Sequence, residues 1–148
     1  MADLRQTIVA AIESRLATIA TPTYRTNLGL SATLWKRNKF SDNALPAVSI
    51  RDVADDQEMD AEDESLTVHH LQVELVIMGK SAGTSDDLIR QLIADVEQAI
   101  GVDDTWGGNA LSTEPMGNEI EIAQDGVTIA GALVRITVHF ITAKFGAS

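Results

Sequence analysis

Cysteine is absent from this 148-residue chain, which removes disulfides, thiolate nucleophiles, cysteine-ligated zinc and iron-sulfur clusters together. That lack suits a reducing compartment. Positive charge is scarce: 11 Lys and Arg stand against 22 Asp and Glu, a formal net charge of −11. This is the wrong sign for a broad phosphate-tracking surface and argues against general DNA binding. Long apolar runs are missing as well. The stretch Ile129 to Val134 is six residues and includes Gly131, whereas a membrane-spanning helix needs about 18, so a soluble protein without membrane contact is expected. Near the start, Asp3, Arg5, Glu13 and Arg15 confine the apolar stretch to Ile8 to Ile12, leaving no secretory core segment, so the chain reads as mature protein. Aromatics are 4%, but with 45% hydrophobic and 22% charged residues the composition is otherwise globular, which excludes disorder and collagen-like repeats. The length favours one domain, residues 1–148, able to bury roughly 70% of its unfolded surface.

Hydrophobic spacing then divides the chain. Leu4, Ile8, Ile12 and Leu16 recur at i, i+4 with Val9 and Ile19 beside them, predicting an amphipathic helix over residues 3–20, capped by Asp3 and ended by Thr21-Pro22. Residues 23–28 suggest a short strand, and residues 29–45 an extended loop or flap holding Trp35, Lys36, Arg37, Lys39 and Phe40. Val48 and Ile50 share one face of a strand over 47–53. Leu71, Val73, Leu75 and Ile77 share one face of a longer strand over 65–79, paired antiparallel. Between them, Asp52, Asp55, Asp56, Glu58, Asp60, Glu62, Asp63 and Glu64 place eight acids in thirteen positions with no base. Removing these eight from a net charge of −11 leaves −3. So self-repelling a run is expected to form a solvated, mobile loop over 52–64.

Thr84 and Asp87 have capping-box spacing before a second helix, in which Leu88, Leu92, Val96 and Ile100 recur at i+4 and Gly101 suits a left-handed residue past the end. After a loop with Trp106-Gly107-Gly108 come a strand over 118–123, a hairpin turn at Gln124-Asp125-Gly126, and a last strand over 127–143. In that strand Val134, Ile136, Val138 and Phe140 point inward, Arg135, Thr137 and His139 outward, and Gly131 suggests a bulge or close packing. The expected fold class is α+β: a mostly antiparallel β-sheet with two α-helices packed on one face.

Chemistry-bearing patterns are few. Gly79-Lys80-Ser81 ends like a phosphate-binding loop, but Glu74 stands where the first glycine is required. No Gly-x-Ser-x-Gly elbow occurs, and no spacing assembles Ser, His and Asp. His69 and His70 are neighbours on a strand, so they face opposite ways and cannot chelate one ion, and His139 can approach one of them only across paired strands. The acidic run lacks the glycine and glutamate spacing of an EF-hand; it reads as a solvated loop, a partner-facing or lumen-facing acidic surface, or a weak divalent-cation binder. Trp35, Lys36, Arg37 and Lys39 read as an exposed flap or an intersubunit ion-pair partner ahead of a nucleic-acid patch. For Trp35 and Trp106, core packing is favoured over partner anchoring. No catalytic residue, metal ligand or cofactor site is predicted.

The succession of elements resembles the tail terminator proteins of long-tailed bacteriophages, also called minor tail protein U-like or tail completion proteins. The matching residues are the opening helix from Leu4 to Ala10, the strand Pro46-Ala47-Val48-Ser49-Ile50, and the strand from Val68 to Ile77 running into Asp86 to Ile93. The ending, Glu119-Ile120-Glu121-Ile122 through Ala130 to Phe140, completes the likeness, which covers essentially the whole chain. The resemblance implies a non-enzymatic structural protein that assembles as a homo-hexameric ring on the end of the tail tube. Such a ring stops polymerisation and forms the head-joining face, with the tail tube protein and a head-tail connector or neck protein as partners. It further implies residence at the head-proximal end of the virion tail after assembly in the bacterial host cytoplasm, with DNA only as cargo passing through the lumen. An acidic lumen would keep phosphates from adhering, so the segment from Asp52 to Glu64 is expected to face the lumen or the tube. Trp35, Lys36, Arg37 and Lys39 are expected to contact a neighbour. The alternatives are a head-side neck or adaptor protein, and a small ligand-binding module or enzyme, which would need an apolar pocket with convergent polar groups.

Overall fold

The structure is a computed structural model describing residues 3–36, 44–80, 85–122 and 129–146. Helix α1 spans Leu4–Leu16. The Asp3 carboxylate accepts the Arg5 N–H at 2.8 Å, as expected of an N-cap. The helix stops short of the predicted residue 20, because the N–H groups of Thr18 and Ile19 turn to the carbonyls three residues back, Arg15 and Leu16. Gly29 lies against this end, where its N–H meets the Ile19 carbonyl at 2.9 Å. A Cβ at that position would stand 2.4 Å from the Ala17 oxygen, so only glycine allows the approach. Gly29→Ala is expected to cost about 1–3 kcal/mol, seen as a lower urea midpoint at unchanged slope.

The strand predicted over 23–28 is absent. Turns lead instead to a short 3-10 helix, Leu28–Ser31, and to strand β1, Ala32–Leu34. Part of the expected flap is therefore sheet, and Arg37, Lys39 and Phe40 lie outside the described residues. Strands β2 (Ala47–Met59), β3 (Leu66–Lys80), β4 (Ser112–Ile122) and β5 (Ile129–Ala143) complete one five-stranded sheet in the order β1-β2-β3-β5-β4. Every pairing is antiparallel except β1 with β2. Helix α2 spans Ser85–Gly101. The α+β class is as expected.

The principal correction concerns the acidic run. Asp52, Asp55, Asp56 and Glu58 belong to β2, which pairs with β3 as far as Met59 opposite Thr67. Only Asp60, Glu62, Asp63 and Glu64 occupy the turn that follows. Charge counting along the chain predicted repulsion. Pleating divides the acids between two faces, and neighbouring elements supply donors to those on the strand: Arg5 to Asp52, His69 to Asp55, Gln72 to Asp56 and His70 to Glu58. Beyond β1, which pairs only with residues 48–50 of β2, the acidic edge of β2 also discourages another strand from adding to it.

Three further expectations change. Gly101 is the last helical residue of α2, and its φ is not left-handed. Gly131 sits in an unbroken ladder between Met78 and Glu121. The irregularity falls between Pro115 and Asn118 on β4, where Gly117 takes φ +100°. Strand β4 is an edge strand, so it tolerates Pro115 and begins six residues before the predicted 118. The Thr84 cap and the turn at Gln124-Asp125-Gly126 lie outside the described residues.

Packing follows the predicted periodicities. Leu71, Val73, Leu75 and Ile77 of β3 and Val134, Ile136, Val138 and Phe140 of β5 are buried. They form one cluster with Ile8, Ile12 and Leu16 of α1 and Ile89, Leu92 and Val96 of α2. Helix α1 contacts β1 and β2, α2 contacts β3 and β5, and the two helices touch. We call this side of the sheet the helix face and the other the outer face.

Candidate functional site

Of the sequence-predicted residues that are described, the acids lie on β2 from Asp52 onward and in the turn after it, and Trp35 and Lys36 meet β2 at Asp52 and Ser49, as separate hydrogen-bonded sets. Trp35, half exposed at 47% with φ 45°, donates its Nε1–H to Asp52 Oδ1 at 2.6 Å. It is not the core residue expected. Arg5 Nε donates to Asp52 Oδ2 at 2.7 Å. Burial works to raise the Asp52 carboxyl, but hydrogen bonds from Trp35 and Arg5 with the guanidinium charge outweigh it, holding the group below the usual carboxylate range. A lowered carboxylate contributes stability that is complete above its unfolded value, near 3.8, and is lost as pH falls through the folded value. The stability difference between wild type and Arg5→Met is therefore expected to be constant above about pH 5 and to shrink below pH 4 in pH-dependent urea melts.

The turn acids serve the turn. Asp60 Oδ1 accepts the Glu62 N–H, and Asp63 Oδ1 accepts both the N–H and the hydroxyl of Ser65. The Ser65 hydroxyl and N–H hold the Asp63 carboxyl below its ordinary value. Lys36 donates its backbone N–H to Ser49 Oγ at 3.0 Å, which attaches the start of the basic segment to β2.

On the helix face, Asp55 Oδ2 meets His69 Nδ1 at 2.8 Å and His69 Nε2 meets Thr142 Oγ1 at 2.8 Å. This carboxylate-imidazole-hydroxyl line has the connectivity of a nucleophilic triad, and sequence spacing gave no sign of it. It is closed to a substrate. Thr142 is 3% exposed, its hydroxyl donates to the Ala143 carbonyl at 2.9 Å, and the imidazole stacks flat on Phe140 at 4.3 Å. The line ties β2, β3 and β5 together.

On the outer face, the register sets Asp56, His70, His139 and Ser112 directly opposite one another across β2, β3, β5 and β4. His70 Nδ1 lies 2.7 Å from His139 Nδ1, His70 Nε2 lies 3.1 Å from Glu58, and His139 Nε2 lies 3.2 Å from Glu114. The expected approach of His139 across paired strands is thus made to His70. Among the described residues no group of three or more His, Asp or Glu side chains is arranged to hold a metal ion, and no helix is long and apolar enough to cross a membrane.

A cavity of about 530 Å³ opens where the irregular part of β4 parts from the end of α2, lined by Glu97, Ile100, Asp104, Pro115, Gly117 and Arg135 among others. Glu97 and Arg135 of this lining are engaged within the fold. Asn118 donates to Glu97 at 3.2 Å, and Arg135 pairs with Glu119 at 3.1 Å and Glu74 at 3.5 Å.

Among solved structures, the chain is similar to one in the structure described as the virion of native gene transfer agent (GTA) particle. The TM-score is 0.55 and the identity 11%, with 96% of this chain and 100% of that chain covered. At that identity the likeness is one of fold. No family model matches the sequence, and no curated protein matches it.

Proposed function

We propose that this chain is a structural component of a virion, and specifically a tail terminator. In this reading residues 1–148 act as one domain, and copies close into a ring on the tail tube, end its growth and present the face that the head joins. The observation that carries the reading is the end-to-end fold match to a chain of a virion particle. The closed Asp55-His69-Thr142 line supports a non-enzymatic role.

The partners in this reading are further copies of the chain, the tail tube protein and a head-tail connector, with DNA only passing through. Because Asp52 and Asp55 are bonded on the helix face, the acids that would line the lumen or meet the tube are Asp56, Glu58, Asp60, Glu62, Asp63 and Glu64. Like charge there removes the counterion-release gain by which DNA would adhere. Lys36, Arg37 and Lys39 would meet acidic residues of the neighbouring copy, with Trp35 beside them at the contact. Head-to-tail contacts of this kind close into rings when the rotation between copies allows it.

Native mass measurement with electron microscopy at high and low concentration tests the reading. The expected result is a species of six copies of the 15.9 kDa chain with a central hole. A strict monomer at every concentration, also in the presence of tube ends, would overturn it. Amides at Asp56, Glu58, Glu62 and Glu64 leave the turn-forming Asp60 and Asp63 in place. Unchanged tail length and infectivity in that variant would remove the lumen-facing role.

A further inference from the structure

The outer-face row Glu58-His70-His139-Glu114 has three contacts that each require one hydrogen: two between an Nε2 and a carboxylate, and one between the two Nδ1 atoms. An ionised carboxylate only accepts, so each Nε2 facing one must donate. Two neutral imidazoles bring two hydrogens in total, and both are then used at Nε2. That leaves two Nδ1 lone pairs aimed at each other at 2.7 Å, a repulsive contact. Three hydrogens satisfy all three contacts. Four set two N–H groups head to head.

We propose that His70 and His139 form a proton-binding site, holding one shared proton as an imidazolium-imidazole pair between the carboxylates of Glu58 and Glu114. The separation selects a proton over a metal ion. Two nitrogens at metal bonds of about 2.0–2.1 Å in tetrahedral geometry stand more than 3 Å apart, whereas 2.7 Å is a hydrogen-bond distance. The rings meet nearly at right angles, 82° between planes at 4.8 Å, which lets one Nδ1–H point along the lone pair of the other. The surroundings favour the cation. From β2 come Glu58 and Asp56, the latter bonded to Gln72; from β4 come Glu114 and the neutral Ser112. The flanking positions on β3 and β5, Val68, Gln72, Thr137 and Ile141, carry no charge. The next cation along this face of β5, Arg135, is paired with Glu74 and Glu119.

Proton uptake therefore has two effects at one place. It adds a positive charge to the outer face, and it completes a clasp that runs from β2 through β3 and β5 to β4. Releasing that proton, or adding a second, breaks the Nδ1 contact, so the clasp holds best when the pair carries one extra proton and weakens on either side. The inference rests on the register and the hydrogen count and is independent of the tail reading.

Imidazole 15N NMR of the full chain over about pH 5–8, where histidines change charge, and at more acid pH tests it. The expected result is two coupled steps for His70 and His139. Between the steps both Nε2 atoms are protonated, and one proton resonance couples to both Nδ1 atoms. In His70→Gln or His139→Gln the remaining ring is expected to titrate in one step and lose that resonance. Independent single-step titration of both rings in the wild type would overturn the proposal. So would Zn2+ taking the place of the proton between the two Nδ1 atoms. Both overturning results are read on the wild type, so a variant that fails to fold does not protect the idea.

Discussion

Asp95→Ala is expected to destabilise the fold by about 3–5 kcal/mol, because it strands several donors that converge on one buried carboxylate. Asp95 is completely buried on the sheet-facing stripe of α2. Its Oδ1 accepts the backbone N–H and Nη1 of Arg25, both at 3.1 Å, and its Oδ2 accepts the N–H and hydroxyl of Thr26 at 2.8 and 2.7 Å. These four bonds secure residues 25–26, a stretch with no ladder of its own, to the second helix. Alanine leaves two main-chain N–H groups and the buried Thr26 hydroxyl without an acceptor, and each such orphan costs about 1–3 kcal/mol. For a chain of this length the loss corresponds to a fall in Tm on the order of 10 °C. Thr26→Val removes a single bond and should cost about 1 kcal/mol. A similar small loss for Asp95→Ala in urea titrations would show that the carboxylate is not the anchor.

Asp95 also shows where sequence reading stopped. An acid at the centre of the stripe formed by Leu88, Leu92 and Val96 is itself a signal, since buried carboxylates occur where donors converge on them. Its donors lie about 70 residues away, and no local pattern points to Arg25 and Thr26. The elements with strong periodicity were legible: α1, the inward rows of β3 and β5, and the apolar stripe of α2 bury the residues that spacing selects, apart from Leu4 and Leu88, which are half-buried against the core. The acidic run was not, because its conformation depends on cross-strand partners. Asp55, Asp56 and Glu58 look unpackable until His69, Gln72 and His70 stand opposite them. Pro115 and Gly117 concealed the first half of β4, since both argue against a strand except at an edge or bulge. His70 and His139 were legible as outward-facing strand residues, but their meeting is a matter of register, which one strand's sequence does not contain.

Trp106→Ala is expected to cost a further large amount, about 3–5 kcal/mol, for a different reason. Trp106 is 2% exposed, the core residue that its sequence position suggested, and it is held in a positive-φ conformation at 53°. Gly107 and Gly108 follow at φ 74° and 86°, values that glycine adopts without steric cost. Asp103 organises this loop by accepting the Thr105 hydroxyl and the N–H groups of Thr105 and Gly107, bonds that hold its carboxyl below the ordinary range. The indole Nε1–H donates to Thr113 Oγ1 at 2.7 Å, and the Arg15 guanidinium lies 4.9 Å above the ring. From there Arg15 also donates to the carbonyls of Ala99 and Asp103 at 3.2 Å, the end of α2 where a cation opposes the helix dipole. One side chain thus joins the close of α1, the close of α2 and the start of β4. Alanine empties that junction and leaves Arg15 without its platform. Trp106→Phe keeps most of the volume and forfeits only the bond to Thr113, so it should cost about 1 kcal/mol for the bond plus a smaller packing loss. Denaturant titrations followed by circular dichroism separate the two contributions. Equal losses for alanine and phenylalanine would assign the role of Trp106 to its N–H, and a much larger loss for alanine assigns it to the buried ring.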